Sequence, residues 1–288
     1  LVGNPDSKSL TDVVQNVIFQ RTMNPSAFAT VFVASEEVRT EPSYFFDNAT
    51  RPDDVGGLVV QRTVRGAAFF EGRTGRRLVQ PGFAMLFTHR EPSRYGYPPD
   101  ASVPYQHQYI EFTSSPSLRK LFDQLRRDFG SVIRLPDDSE ARTLFSEILK
   151  RFRMHSFLDR YHESELLYRL LIAIYREQVQ ETRVSDPIEY GYHYLHNRFR
   201  SPINLKGVAE TCGVSREHLG RAFRKRYKEL PGALLRRLRL EHGRTMLLVT
   251  SLPVEEVALA SGFTSTNTFN RAYRQHFGMS PGASRTKG

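Results

Sequence analysis

SREHLGRAFRKRY (residues 215–227) and GFTSTNTFNRAYRQHFGMSPGASR (residues 262–285) decide how this chain is read, because they belong to two copies of one pattern. In the first copy Val208-Ala209 precede Gly213-Val214, then Arg221-Ala222-Phe223-Arg224, then Pro231-Gly232-Ala233. In the second, Val257-Ala258 precede Gly262-Phe263, then Arg271-Ala272-Tyr273-Arg274, then Pro281-Gly282-Ala283. The offset is 49 residues before the turn and 50 after it, so the turn carries a one-residue insertion.

Each copy has a mechanical reading. A short amphipathic helix (205–212, 254–261) places a small Ala where a second helix must approach closely. Gly213 or Gly262 ends it in a tight turn of left-handed backbone. The hydroxyl of Ser215, or of Ser265 or Thr264, then caps the next helix. That helix buries Leu219, Phe223 and Tyr227 in one copy and Phe269, Tyr273 and Phe277 in the other. This is helix-turn-helix architecture, whose second helix enters the DNA major groove.

Helical spacing predicts the exposed faces: Arg216, Glu217, Gly220, Arg221 and Arg224 in the first copy, and Thr266, Asn267, Asn270, Arg271 and Arg274 in the second. Residues toward the start of such a helix reach bases, Arg forking onto guanine and Asn onto adenine. That assigns base contacts to Arg216, Glu217, Gly220, Arg221, Thr266, Asn267, Asn270 and Arg271. Arg224, Lys225 and Arg274 fall to phosphates, which position without specifying. A long helix over 234–249 separates the units and suits recognition helices about one DNA turn apart, ~34 Å.

Charge agrees. Residues 187–288 hold 17 Lys+Arg against 7 Asp+Glu, whereas the other 186 residues hold 24 of each. All the excess of +10 sits in the helical third, the asymmetry expected of a neutral module joined to one that meets a polyanion.

Residues 28–112 read as β-structure. Short apolar runs at 29–34, 58–64, 67–70, 84–87 and 108–112 alternate with Gly/Pro/Asp/Asn punctuation, which suggests a sandwich or barrel. Helical spacing takes over at 118–129, 140–157 and 163–180. Leu166, Leu167, Leu170, Leu171, Ile174 and Tyr175 make one broad apolar face, for packing on the β-domain, for pairing with a second copy, or for both. The polar stretch 181–187 reads as a linker. No run approaches the ~18 apolar residues of a membrane span. The opening LVGNPDSKSL lacks the apolar core of a signal peptide, and the absence of an initiator Met suggests a trimmed start. A single cysteine, Cys212, allows no intramolecular disulfide and fits a reducing cytoplasm.

The two quoted segments resemble the AraC/XylS family of bacterial transcription regulators over nearly all of 187–288. Three departures stand out: Gly220 inside a recognition helix, Gly243 where an Ala is usual, and Ser265 where an acidic residue is common. RPDDVGGLVVQRTVRG (51–66), QPGFAMLFTHREPSRYGYPP (80–99) and YQHQYIEF (105–112) are similar to the cupin-type barrel of the family's arabinose-responsive regulation. The resemblance implies an α+β multidomain chain. An N-terminal arm and cupin-like β-barrel would span 1–136, dimerising helices 137–180, a linker 181–187, and an all-α domain of two helix-turn-helix units 188–288. It implies a ligand pocket of Arg51, Tyr95, His107 and Tyr109, in which an aromatic face stacks on a sugar ring and Arg and His bond its hydroxyls. L-arabinose is the leading ligand, and aromatic or fatty-acid effectors are the alternatives. It further implies double-stranded DNA, a second copy of the chain and RNA polymerase as partners, with no cofactor.

Two rivals are weaker. A metal-dependent cupin enzyme needs two His one residue apart, yet His89 and His107 are 18 apart, and His193 and His196 lack nearby cysteines. No phosphate loop or nucleophile motif appears. A non-specific architectural DNA binder has no use for a neutral domain with an inward polar-aromatic set.

Overall fold

A computed structural model describes residues 27–51, 57–113 and 115–285; the expected N-terminal arm lies largely outside them. The chain divides into two compact units, Leu1–Gln178 and Val179–Gly288.

The first unit is a pair of antiparallel sheets with helices. Its strands are β1 (Val31–Arg39), β2 (Phe45–Asp47), β3 (Leu58–Arg65), β4 (Ala68–Gly72), β5 (Gly75–Val79), β6 (Phe83–Thr88), β7 (Arg94–Gly96), β8 (Tyr105–Phe112) and β9 (Val132–Arg134). One sheet runs β1-β8-β3-β6-β9, the other β2-β7-β4-β5. The expected barrel does not close: the described residues form two separate sheets. The reason lies in the short members. β2 and β7 have three residues each, and Pro42, Pro92, Pro98 and Pro104 flank them or the strand that follows. Proline has no N–H to give a ladder.

Alternation along β3 and β8 sorts the side chains. Leu58, Val60, Ile110 and Phe112 face the helices and join one core. Val59 and Tyr105 face the other way, into a second core with Phe70, Phe87, Tyr95 and Tyr97. The inward residues of β8 between these cores are His107, Tyr109 and Glu111, as period-two geometry requires.

Three helices cover the first sheet: α1 (Pro116–Phe129), α2 (Glu140–Arg153) and α3 (Arg160–Ser185). Ser115 caps α1 by accepting from Leu118 N at 3.2 Å, and Ser139 caps α2 by accepting from Arg142 N at 3.1 Å. The broad apolar face of α3 is used inside the chain: Leu166, Leu167, Leu170, Leu171 and Ile174 are all buried in the first core. Truncating any of these leucines to Ala costs about 2–5 kcal/mol. Residues 181–185, read from sequence as the start of a linker, instead complete α3. No residue in that stretch forbids a helix; Pro187 does, and Asp186 makes the break.

The second unit is all helix: the tail of α3, then α4 (Pro187–Arg198), α5 (Leu205–Thr211), α6 (Arg216–Tyr227), α7 (Pro231–Val249), α8 (Val254–Ala260), α9 (Thr266–Phe277) and α10 (Pro281–Arg285). Gly213 (φ 69°) and Gly262 (φ 86°) turn the chain as the repeat predicts. Ser215 accepts from His218 N at 3.1 Å and Ser265 from Thr268 N at 3.3 Å, so both caps are in place. Each repeat has its own core, Leu219 and Phe223 with Tyr227 in one, Phe269 and Tyr273 with Phe277 in the other. Cys212 is buried at the end of α5, and burial pushes its thiol up to about 11. At the far ends of α6 and α9 the left-handed cap position holds Lys228 (φ 59°) and Gly278 (φ 70°), donating to the carbonyls of Arg224 and Arg274.

Candidate functional site

The recognition helices present the residues their spacing predicts. Arg216, Glu217, Arg221, Arg224, Asn267, Arg271 and Arg274 are exposed, and Gly220, Thr266 and Asn270 are half-buried on the same helices. The arginines of this unit differ in what they meet. Arg226 pairs with Asp186 and Glu189. Arg237 bridges Glu229 at 3.0 Å and Glu241 at 3.3 Å. Arg239 donates to the carbonyls of Phe199 (2.6 Å) and Ser201 (2.9 Å). These arginines hold helices together. Arg216, Arg221, Arg224, Arg271 and Arg274, by contrast, have no acidic partner among the described residues. Five uncompensated guanidiniums on α6 and α9 make a surface suited to a polyanion.

In the first unit, Tyr44 organises the candidate ligand site. It precedes β2, and its ring lies 6.1 Å from Tyr95, 5.3 Å from His107 and 6.0 Å from Tyr105, centroid to centroid. Of the four expected pocket residues, Tyr95 and His107 touch it, while Arg51 joins through Phe46 and Tyr95, and Tyr109 through His107. Tyr95 on β7 is buried and stacks on Phe46 at 5.2 Å. Arg51 lays its guanidinium over Phe46 at 4.4 Å and meets His89 Nε2 at 3.0 Å. On β8, His107 stacks between Tyr105 (4.6 Å) and Tyr109 (6.0 Å). The Tyr109 hydroxyl donates to Glu37 on β1 at 3.2 Å.

Tyr44, Gln61, Glu37 and Glu111 were not singled out from sequence, yet they complete the site. The Gln61 amide donates to the hydroxyls of Tyr44 (3.2 Å) and Tyr105 (3.0 Å). Tyr44 shares a hydrogen bond with His107 Nε2 at 3.1 Å. Glu37 faces His107 across the β1–β8 register, which was the one available signal once pairing is known. Tyr44 and Phe46 also line an open depression of about 340 Å3.

Burial sets the protonation states. It pushes the Tyr44, Tyr95 and Tyr105 phenols above their usual range and Tyr109 up to about 12. It pushes His107 down to about 4, with Glu37 pulling back, and it raises Glu111, with Arg51 pulling back. At neutral pH the imidazole and phenols are therefore uncharged. Of the seven buried side-chain atoms without a hydrogen-bond partner among the described residues, two lie on β8: His107 Nδ1, and Glu111 Oε1, which has His89 Nε2 3.6 Å away. Such atoms cost stability until something satisfies them.

Among the described residues no three His, Cys, Asp or Glu side chains are placed to hold a metal ion, and no helix is long and apolar enough to cross a membrane.

Comparison with known proteins agrees with both halves. Residues 40–171 match an AraC-like ligand binding domain and residues 208–287 a helix-turn-helix domain. The HTH-type transcriptional regulator GbdR of Pseudomonas aeruginosa is 27% identical over 267 residues, covering 86% of this chain and 70% of that protein. The right origin-binding protein of Escherichia coli is 33% identical over 88 residues, 31% of this chain and 30% of that one. A solved AraC-type DNA-binding regulator from Chromobacterium violaceum is 28% identical, covering 36% of this chain and 93% of that chain with a TM-score of 0.33. The matched domains and relatives are those of regulators rather than enzymes. With an AraC-like ligand-binding domain ahead of its paired helix-turn-helix units, the chain belongs to the AraC family of DNA-binding transcription regulators.

Proposed function

We propose that the chain is a cytoplasmic, homodimeric activator of catabolic genes whose effector is a neutral, polyhydroxylated molecule. A sugar such as L-arabinose is the leading candidate, held by Arg51, Tyr95, His107 and Tyr109 around Tyr44. The observation that carries this is the buried His107 Nδ1, which has no hydrogen-bond partner among the described residues and belongs to the Tyr44 cluster. A hydroxyl both donates and accepts, so a polyol satisfies His107 Nδ1 in either tautomer without adding charge to a lining whose imidazole and phenols are neutral. Aromatic faces beside it suit a sugar ring. The density of rings around Tyr44 and Phe46 favours an aromatic effector as the second reading.

On DNA, Arg216, Glu217, Gly220, Arg221, Thr266, Asn267, Asn270 and Arg271 read bases, while Arg224 and Arg274 hold phosphates. Ligand shifts the regulator between arrangements only by binding them unequally. With the α3 leucines used inside the chain, dimerisation through 137–180 rests on family resemblance, as does contact with RNA polymerase.

The test is calorimetric titration of the full chain with pentoses, hexoses and aromatic acids. Saturable binding of a sugar, lost in His107→Ala with DNA affinity intact, supports the reading. Binding of aromatic acids alone replaces the sugar. Light scattering that gives a monomer at micromolar concentration removes the dimer.

A further inference from the structure

Away from the Tyr44 cluster, the first unit has a cleft of about 570 Å3 between the β4–β5 hairpin, the turn after β6, and α1 with the residues that follow it. Five arginines line it, Arg73, Arg77, Arg119, Arg126 and Arg127, against two acids, Glu91 and Asp123. Both acids are already matched. Arg126 forks onto Glu91 at 2.8 and 3.0 Å, and Glu91 is further fixed by the hydroxyls of Thr88 (2.9 Å) and Ser93 (2.7 Å). Arg119 pairs with Asp123 at 3.0 Å.

Three arginines remain uncompensated. Arg127 donates to the neutral Gln124 amide oxygen at 2.7 Å, and Arg77 only grazes the Val132 carbonyl at 3.4 Å. Arg73, on the hairpin, is exposed with no acidic partner among the described residues. Three like charges around one concavity repel each other, although the formal charges of residues 1–186 balance as a whole. The floor is Phe70 and Val132, 3% and 5% exposed. The volume is that of a small-molecule site, and guanidinium forks match the paired oxygens of phosphate and carboxylate.

We infer that this cleft binds a small anion carrying at least two negative charges, a phosphate ester or a polycarboxylate. The shared chemistry is several anionic oxygens set against three uncompensated guanidiniums over an apolar floor. The inference is independent of the effector held around Tyr44.

Calorimetric titration of the full chain at low salt, with inorganic pyrophosphate and separately with citrate, tests it. The recognition helices also attract phosphate, so Arg73→Gln/Arg77→Gln is compared with Arg216→Gln/Arg271→Gln, circular dichroism confirming that both fold. The expected result is saturable binding in the parent and in the helix variant, with Kd raised roughly tenfold or more in the cleft variant. Response to pyrophosphate alone identifies a phosphate ester, to citrate alone a polycarboxylate, and to both a site that reads charge. Two results overturn the inference: no saturable binding of either anion, or binding that survives in the cleft variant and vanishes in the helix variant.

Discussion

The Tyr44 hydroxyl sits between His107 Nε2, 3.1 Å away, and the Gln61 amide nitrogen, 3.2 Å away. One phenol therefore ties the segment leading into β2 to the inner faces of β8 and β3. Tyr44→Phe keeps the ring and removes this tie, leaving His107 Nε2 without its partner while Gln61 keeps Tyr105. The expected outcome is a loss of about 1–3 kcal/mol of stability and weaker effector binding, read by urea denaturation and by calorimetry on the same samples.

Acid should destabilise the first unit through His107. Its pKa falls from an ordinary 6.5 to about 4 because it is buried. Between those values the unfolded chain binds a proton that the folded chain does not, so stability is full above about 6.5 and falls as pH drops toward 4. The window is worth roughly 3 kcal/mol. Glu111, raised by burial, acts oppositely: its contribution declines as pH rises through its raised pKa. His196 and His242 in the second unit are lowered as well, so the informative quantity is a difference. His107→Gln should flatten the slope of denaturation free energy against pH between 4.5 and 6.5; an unchanged slope would assign it to the other groups.

Two glycine-to-alanine changes should have opposite signs. A Cβ at Gly220 meets nothing within 4 Å, so Gly220→Ala gains about 0.5–1 kcal/mol from helix propensity. If α6 uses that gap to approach DNA, the same variant loses affinity while its melting temperature rises. A Cβ at Gly243 would stand 2.8 Å from Phe269 Cε2 and 3.0 Å from Ser261 Oγ, where α7 crosses the second repeat. Gly243→Ala should cost about 1–3 kcal/mol from overpacking. Thermal melts of the two variants beside the parent decide both.

On DNA the arginines should separate by function. Arg271→Ala should cost about 1–3 kcal/mol on the preferred site and relax base preference. Arg274→Ala should weaken all sequences alike and reduce the salt slope by about one. Arg226→Ala should leave the slope unchanged, because that side chain is held by Asp186 and Glu189, and exposed pairs of this kind contribute only about 0–1 kcal/mol to stability. Fluorescence anisotropy across a salt series separates the three.

The helical third was legible because its signals are local. Ser215, Gly213 and the Leu219–Phe223 spacing each act within a turn or two of chain, and the repeat states them twice. The longer strands β3, β6 and β8 were legible for the same reason. β2 and β7 were not, since three residues carry no periodicity, and so Tyr44 beside β2 escaped notice. Closure of the sheets could not be read, because strand order joins residues far apart in sequence. The stretch 181–187 misled because a polar composition describes a solvated helix end as well as a linker.

The two cap positions, Lys228 and Gly278, bear on more than either helix alone. The duplicated module is a mutant pair folded in one molecule and subject to one solvent and one temperature. Where the copies agree, as at Ser215 and Ser265, the position states a requirement of the motif. Where they differ, as at this left-handed cap, it marks a tolerance, here for a lysine whose ammonium answers the Lys225 carbonyl at 3.1 Å. An engineer reading the chain can thus take substitutions from one half to the other before designing any anew.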